Sequence, residues 1–444
     1  MIDDGNNEPQ VGGRKRRGAG RAEGAGDCAL TGNRHYFIET RPDTQRQHLS
    51  DVSSNNISTL PRDALLPAFA LRDLNLSLNR LESVSAGALS GGGTGGALAR
   101  LWLDACALRR LPAHALRDLP RLHFLSADDN MLTEVEDNAL EALRALRTLR
   151  LARNQLRAPP AAALAPLARL QYLDLSGNLI GELGEEALPP LPSLHTLLLR
   201  HNRISHVEPR AFTGVPALRV LRLEDNLLTE LPAALQLLPQ LEDLWAGGNR
   251  VEWAGPETLA GCGRLAWLDL RRNPLSSLHP RSLDRLPNLE TLLMSEARGL
   301  TAIPVLNGSL RLRTLRADRA RLTHLPASLC AHAPQLRTLD LKLNRLRRVP
   351  DLRACAELRV LDLSSNEIAT LSAEEEGDDG AEEESALLGL GHLQDLLLAH
   401  NRLRRLPRHA FRHNPDLQIL NVEGNEIEHI DMEAFVPIFK LQDL

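Results

Sequence analysis

Residues 173–183 read LDLSGNLIGEL and residues 197–207 read LLLRHNRISHV. Each stretch places leucine at alternate positions, then an asparagine, then another apolar residue two positions on. Asn178 and Asn202 stand 24 residues apart. The same register runs through the chain at Asn55, Asn79, Cys106, Asn130, Asn154, Asn178, Asn202, Asn226, Asn249, Asn273, Ala297, Ala320, Asn344, Asn366, Asn401 and Asn425. Nearly every step is 23 or 24 residues. A fixed period of this size is the signature of a repeat architecture.

The physics of one copy follows from its pattern. Alternation such as Leu173-Asp174-Leu175 puts two leucines on one face of a short strand and the aspartate on the other. Leu156 and Ile180, two residues past the asparagine, turn inward again. The asparagine amide can bond backbone groups of a turn that would otherwise be orphaned. One copy cannot bury its leucines alone, so stacking makes a single continuous core. The pattern is similar to the leucine-rich repeat, in which cysteine is an accepted substitute at the asparagine position. The expected fold class is α/β: a curved right-handed solenoid of about sixteen repeats. At a strand spacing of about 4.8 Å its parallel concave sheet would run roughly 75–80 Å.

Composition narrows the function. The chain has 444 residues, aromatics are 3% and the net charge is −5, which gives no bulk case for nucleic acid. Five cysteines are too few for a disulfide scaffold. No run of 18 apolar residues occurs, and the N-terminus lacks the apolar stretch of a secretory leader. Taken alone, these features describe a soluble intracellular protein. A solenoid needs a polar cap at each end, and no cysteine-rich cap is present at either. Leu444 stands where the first strand leucine of a seventeenth repeat belongs. The expectation is therefore a fragment, incomplete at its C-terminus.

Residues 1–48 are rich in Gly, Arg and Asp and are expected to be disordered. The basic run Arg14 to Arg17 reads as a solvated tail, with a localisation or proteolysis signal as the alternative, and Cys28 as a stray thiol. The repeat domain occupies 49–444. The tract SGGGTGGA lengthens the step from Asn79 to Cys106 and is expected to form a flexible loop on the convex side. An acidic insertion at 374–385 carries eight carboxylates; without them the net charge of −5 becomes +3. It reads as a solvated, self-repelling loop. Two consecutive repeats lack their asparagine, at Ala297 and Ala320, and a local change of curvature is expected there.

Four groups of residues stand out. Trp102, Phe124, Tyr172, Trp245 and Trp267 fall at outward strand positions, which puts three of only four tryptophans on the concave sheet. Aromatics on a rigid sheet have the character of interface hot spots. Arg200, Arg222 and Arg271 accompany them, within a run that includes Arg272, Arg316 and Arg319; Asp104, Asp128, Asp129 and Asp174 cluster earlier. Such a gradient could orient a dipolar protein ligand. Cys330 and Cys355 lie 25 residues apart in equivalent parts of adjacent repeats. Stacking would bring them to about 5 Å, which suits a disulfide; two buried thiols are the alternative. Three glycosylation sequons begin at Asn56, Asn75 and Asn307, with Asn75 on the predicted concave face. No catalytic motif, metal-ligand set or cofactor signature is present. The chain is therefore read as a non-enzyme without cofactor or metal.

A closer resemblance rests on residues 273–366. The slipped repeat LTAIPVL, the half-repeats LPASLC and VPDLRAC, and the LDL strand between the latter two are similar to the middle ectodomain of leucine-rich-repeat-containing G-protein-coupled receptors with long arrays. That resemblance implies a Cys330–Cys355 bridge. It also implies a cell-surface receptor that binds a secreted cystine-rich protein on its concave face and signals through seven helices to a G protein. Vertebrate members bind R-spondins; the insect member, closer in style, is the receptor for the cystine-knot hormone bursicon. The seven-helix domain is not in this sequence, so the expectation is a ligand-binding ectodomain piece on the extracellular side of the plasma membrane. The rival readings are an adhesion protein or a cytoplasmic protein-binding scaffold.

Overall fold

The computed structural model describes residues 49–62, 71–89, 96–372 (except 257, 280, 285 and 304) and 384–444, together with Ala29–Leu30 and Tyr36–Phe37, which form an antiparallel pair. The rest of the N-terminal tail, most of the Gly-rich tract and most of the acidic insertion lie outside the described residues.

Among the described residues, sixteen three-residue strands build one parallel sheet, ordered strictly along the sequence from Leu49–Asp51 to Ile419–Asn421. Every strand after the first, whose centre is Ser50, buries a central leucine: Leu173, Leu197, Leu221 and Leu244 are fully inaccessible. The first and third residues of the strand therefore face the concave surface. Register is uniform, with Leu173 opposite Leu197 and Leu197 opposite Leu221. Leucines of the returning segments, such as Leu164 and Leu191, complete a single core that runs the length of the array.

The asparagines explain how the turns are held. Asn178 donates through Nδ2 to the carbonyls of Leu151 (2.9 Å), Leu175 (3.0 Å) and Ser176 (3.3 Å). Its Oδ1 accepts the Leu156 N–H at 3.0 Å. The side chain thus satisfies its own turn and stitches it to the preceding repeat. The same bonds recur at Asn130, Asn154, Asn202, Asn226 and onward. The residue before the register position has a left-handed backbone, with φ between 48° and 67°, in all sixteen repeats, those of Ala297 and Ala320 included. Only three of these are glycines, Gly177, Gly248 and Gly424. At the others an ordinary side chain, such as Arg153 or Asp225, is held where it costs roughly 1–2 kcal/mol. Cys106 supplies part of the pattern, its thiol lying 3.4 Å from the Leu76 carbonyl.

At Ala297 and Ala320 this bonding is missing, yet the sheet is unbroken: Thr291 pairs with Thr314 and Thr314 with Thr338. The slip of one residue appears as the Arg321 N–H donating to Leu300, where Arg345 in the next repeat donates to Leu322. The convex side is less helical than its composition suggests. It holds α-helical turns at Ala161–Leu164 and Leu329–His332, a 3-10 turn at Ala233–Leu237, and otherwise irregular turns. Two-residue parallel strands, such as Glu182–Leu183 with His206–Val207, add small secondary ladders past the asparagines. They are too short to leave a periodic trace in sequence.

Candidate functional site: the concave sheet

All five aromatics sit at first or third strand positions on the concave side, and each is partly rather than fully exposed. Two groups emerge. Trp102 and Phe124, on neighbouring strands, place their ring centroids 5.1 Å apart, tilted by 44°. Arg100 lies 5.5 Å from the Trp102 ring centroid and is held by Asp73 at 2.6 Å. Trp245 and Trp267, also on neighbouring strands, stack at 5.0 Å with planes 23° apart. Arg222 caps the Trp245 ring at 4.4 Å, close enough for a cation–π contact. Tyr172 lies on a strand between the two groups and joins neither stack.

The second group has the stronger features of a site. Arg222 is steered by Glu224 at 3.3 Å, and Arg271 forks onto the buried Asp269 at 2.8 Å. Trp245 is followed by Ala246, Gly247 and Gly248, so no bulky side chain rises from the floor beside the stacked rings. A Cβ at Gly247 would lie 3.3 Å from the Asp269 carboxylate. Three polar atoms here are buried without a hydrogen-bond partner: Arg200 Nε, Glu224 Oε2 and Trp267 Nε1. Donor and acceptor capacity left open in a native fold calls for an explanation, and a bound partner is one.

Glu224 and Gly247 were not singled out by sequence reasoning. The signal that could have found them is their shared column, two residues past the strand ends at Arg222 and Trp245. Burial raises the Glu224 pKa, outweighing the nearby Arg222 and Arg200. A raised carboxyl pKa means the folded state binds the proton more tightly than the unfolded chain, so stability falls as pH rises through that value. Glu224→Gln is expected to melt above the parent at neutral pH, with the gap closing on acidification. Thermal unfolding across pH checks this, and a less stable variant at neutral pH would show that Arg200 and Arg222 depend on the charge.

The charge gradient read from sequence is largely neutralised in place. Asp128 is buried against Arg150 at 2.6 Å, and Asp129 pairs with Arg153. Arg272 reaches Asp225, and Arg319 reaches Asp318 and Glu296. The sequence segregates the signs along the chain, but stacking places opposite charges of neighbouring repeats side by side. The net field across the sheet is correspondingly smaller than the sequence gradient implies.

Cys330 and Cys355 are bridged across adjacent repeats, their Cα atoms 4.9 Å apart. Of the sequon asparagines, Asn56 and Asn307 are exposed. Asn75 is half-buried on the concave sheet, its Oδ1 accepting the Ser77 N–H at 3.0 Å. Among the described residues no helix is long and apolar enough to cross a membrane.

A single parallel sheet of stacked 23- or 24-residue repeats, most of them closed by an asparagine-bonded turn, defines a leucine-rich-repeat protein. The family profile described as Leucine rich repeat matches residues 120–180, 192–251, 247–296, 311–373 and 391–444, well over half of the sequence, and the chain belongs to that family. It is similar to leucine-rich repeat-containing G-protein coupled receptor 5 of Xenopus tropicalis, 30% identical over 139 residues, covering 31% of this chain and 15% of the receptor. It is also similar to Tsukushi of Mus musculus, 34% identical over 230 residues, covering 44% of this chain and 61% of Tsukushi. Neither alignment reaches two thirds of its relative's length. Among solved structures, a leucine-rich-repeat protein of Leptospira interrogans superposes with TM-score 0.71 at 24% identity, covering 89% of this chain and 94% of that one. Toll in its complex with Spatzle, from Drosophila, superposes with TM-score 0.69 at 22% identity, covering 82% of this chain and 51% of that one. At those identities the likeness concerns the fold.

Proposed function

We propose that the chain is the ligand-binding ectodomain region of a cell-surface G-protein-coupled hormone receptor, and that it takes a secreted cystine-knot-type protein on its concave sheet. The observation that carries this reading is the Trp245–Trp267 stack with Arg222 over it, set beside a glycine floor and three unpartnered polar atoms. Large flat side chains, preorganised by each other and by a paired arginine, are what a protein interface uses as anchors. Arg200, Arg222 and Arg271 orient the ligand; Trp102, Phe124 and Tyr172 extend the contact toward the N-terminal strands. The relatives supply the context. One is named a G-protein-coupled receptor, and Toll, a structural neighbour, is seen bound to Spatzle. The Cys330–Cys355 bridge and the exposed sequons at Asn56 and Asn307 suit an oxidising, extracellular setting. Coupling to a G protein would require a seven-helix domain beyond these residues.

The test is a titration of the immobilised chain with a cystine-knot hormone dimer and, separately, with an R-spondin-type protein. Saturable binding of the first is expected. Saturable binding of the second alone would move the chain to the other branch of the receptor group, and binding of neither would contradict the hormone-receptor reading.

A further inference from the structure

The ligand surface described above does not use one strongly basic stretch of the repeat array. Between Arg298 and Arg348 the sequence holds eleven Arg and Lys against two Asp, although the whole chain has a net charge of −5. The structure sorts these cations. Arg311 bonds Asn288, Arg313 reaches Glu290, Arg319 reaches Asp318 and Glu296, and Lys342 lies between Asp340 and Asp362. Arg298, Arg321 and Arg345 are different. Each directly follows the register position of its repeat, on three consecutive turns along the edge where the strands give way to the convex side. All three are exposed, and among the described residues none has a side-chain partner. Arg347 adds a further exposed guanidinium on the last of these turns, tethered loosely to Glu367 at 3.8 Å.

Neighbouring turns are about 4.8 Å apart, so the row sets like charges at close, regular intervals with no carboxylate between them. Such a row is unfavourable by itself. Elsewhere in the same column the arginines stand apart: Arg80 lies between Asn56 and Ala107, Arg203 between Leu179 and Leu227, and Arg250 between Leu227 and Pro274. Arg402 is flanked by Glu367 and Glu426 and pairs with the former at 3.7 Å. Only on the turns of Arg298, Arg321 and Arg345 is the column an unbroken cationic row.

We propose that this edge row binds a sulfated polysaccharide chain, lying along the stacked turns and away from the concave protein-binding sheet. Guanidinium forks match the planar geometry of sulfate and carboxylate oxygens, and a linear polymer of fixed charge meets several turns at once. The row carries no aromatic side chain, whereas binding of single-stranded nucleic acid relies on stacked aromatics. The choice of a sulfated polysaccharide rests on the extracellular reading above; the cationic row itself does not.

The test uses the whole chain and immobilised heparin, with no protein ligand present, so failure to find a hormone leaves it untouched. R298E/R321E/R345E is expected to bind heparin at least about tenfold more weakly at 0.15 M salt, each exposed pair contributing up to about fivefold. R80E/R203E/R250E makes the same charge change at isolated positions of the same column and is expected to behave as the parent. Equal losses in the two triples would overturn the proposal, because the effect would then be general charge. Displacement of heparin by a single-stranded oligonucleotide of equal total charge would overturn the polysaccharide assignment. Both triples are first matched to the parent's thermal midpoint; if either falls short, the glutamine versions replace both and are read in the same way.

Discussion

Asn178→Ala is expected to destabilise the folded chain by about 3 kcal/mol, since each orphaned buried backbone group costs roughly 1–3 kcal/mol. The substitution removes four hydrogen bonds at once. It leaves the Leu156 N–H of the preceding repeat without its acceptor, while the Leu151, Leu175 and Ser176 carbonyls keep one donor each, from Asn154, Asn202 and Arg153. Because the repeats are coupled only to their neighbours, the loss should open the array near its middle rather than fray an end. Urea unfolding followed by circular dichroism measures it. A second, earlier transition is the expected form, and a change under about 1 kcal/mol would show that the turns are held by leucine packing alone.

Replacing both Cys330 and Cys355 by serine is the second large effect. The bridge closes a loop of 25 residues between two adjacent turns, and a loop of this size is worth roughly 3 kcal/mol through the unfolded chain. Its position gives that figure a local meaning. Cys330 lies in the repeat of Ala320, and that repeat and the one before it, with Ala297, lack asparagine and so the side-chain stitch that it supplies elsewhere. The bridge fastens the convex side where the turns have lost support on the other edge. Unfolding of the double variant should therefore begin in the 291–345 region, read as faster amide exchange there than in the 125–250 region. Uniform exchange across the two regions would contradict the role assigned to the bridge.

The repeat could be read in the sequence because its signal is redundant. Leu173 alone says little, but a buried leucine recurs at the same place in strand after strand, and each reinforces the register of the others. The concave positions of Trp245 and Trp267 followed from the same alternation, since a period of two fixes which face a side chain takes. What that logic could not reach was anything set between repeats. Asp128 reads as part of an acidic cluster until stacking lays Arg150 against it. The pairing of Trp245 with Trp267, and the unpartnered atoms of Arg200 and Glu224, depend on which residues share a column. The left-handed residue before each asparagine was equally hidden, because arginine, histidine and leucine fill a place where glycine would have announced it.

The most direct test of the concave site is the affinity of the proposed protein ligand for two variants. Trp245→Ala and Trp267→Ala together are expected to weaken binding by at least about 30-fold, equivalent to about 2 kcal/mol for a hot-spot pair. Trp253→Ala removes the same side chain from a position off the concave sheet, where it is 44% exposed, and is expected to leave affinity unchanged. Unchanged affinity in the concave double variant, or an equal loss in Trp253→Ala, would contradict the concave sheet as the binding surface.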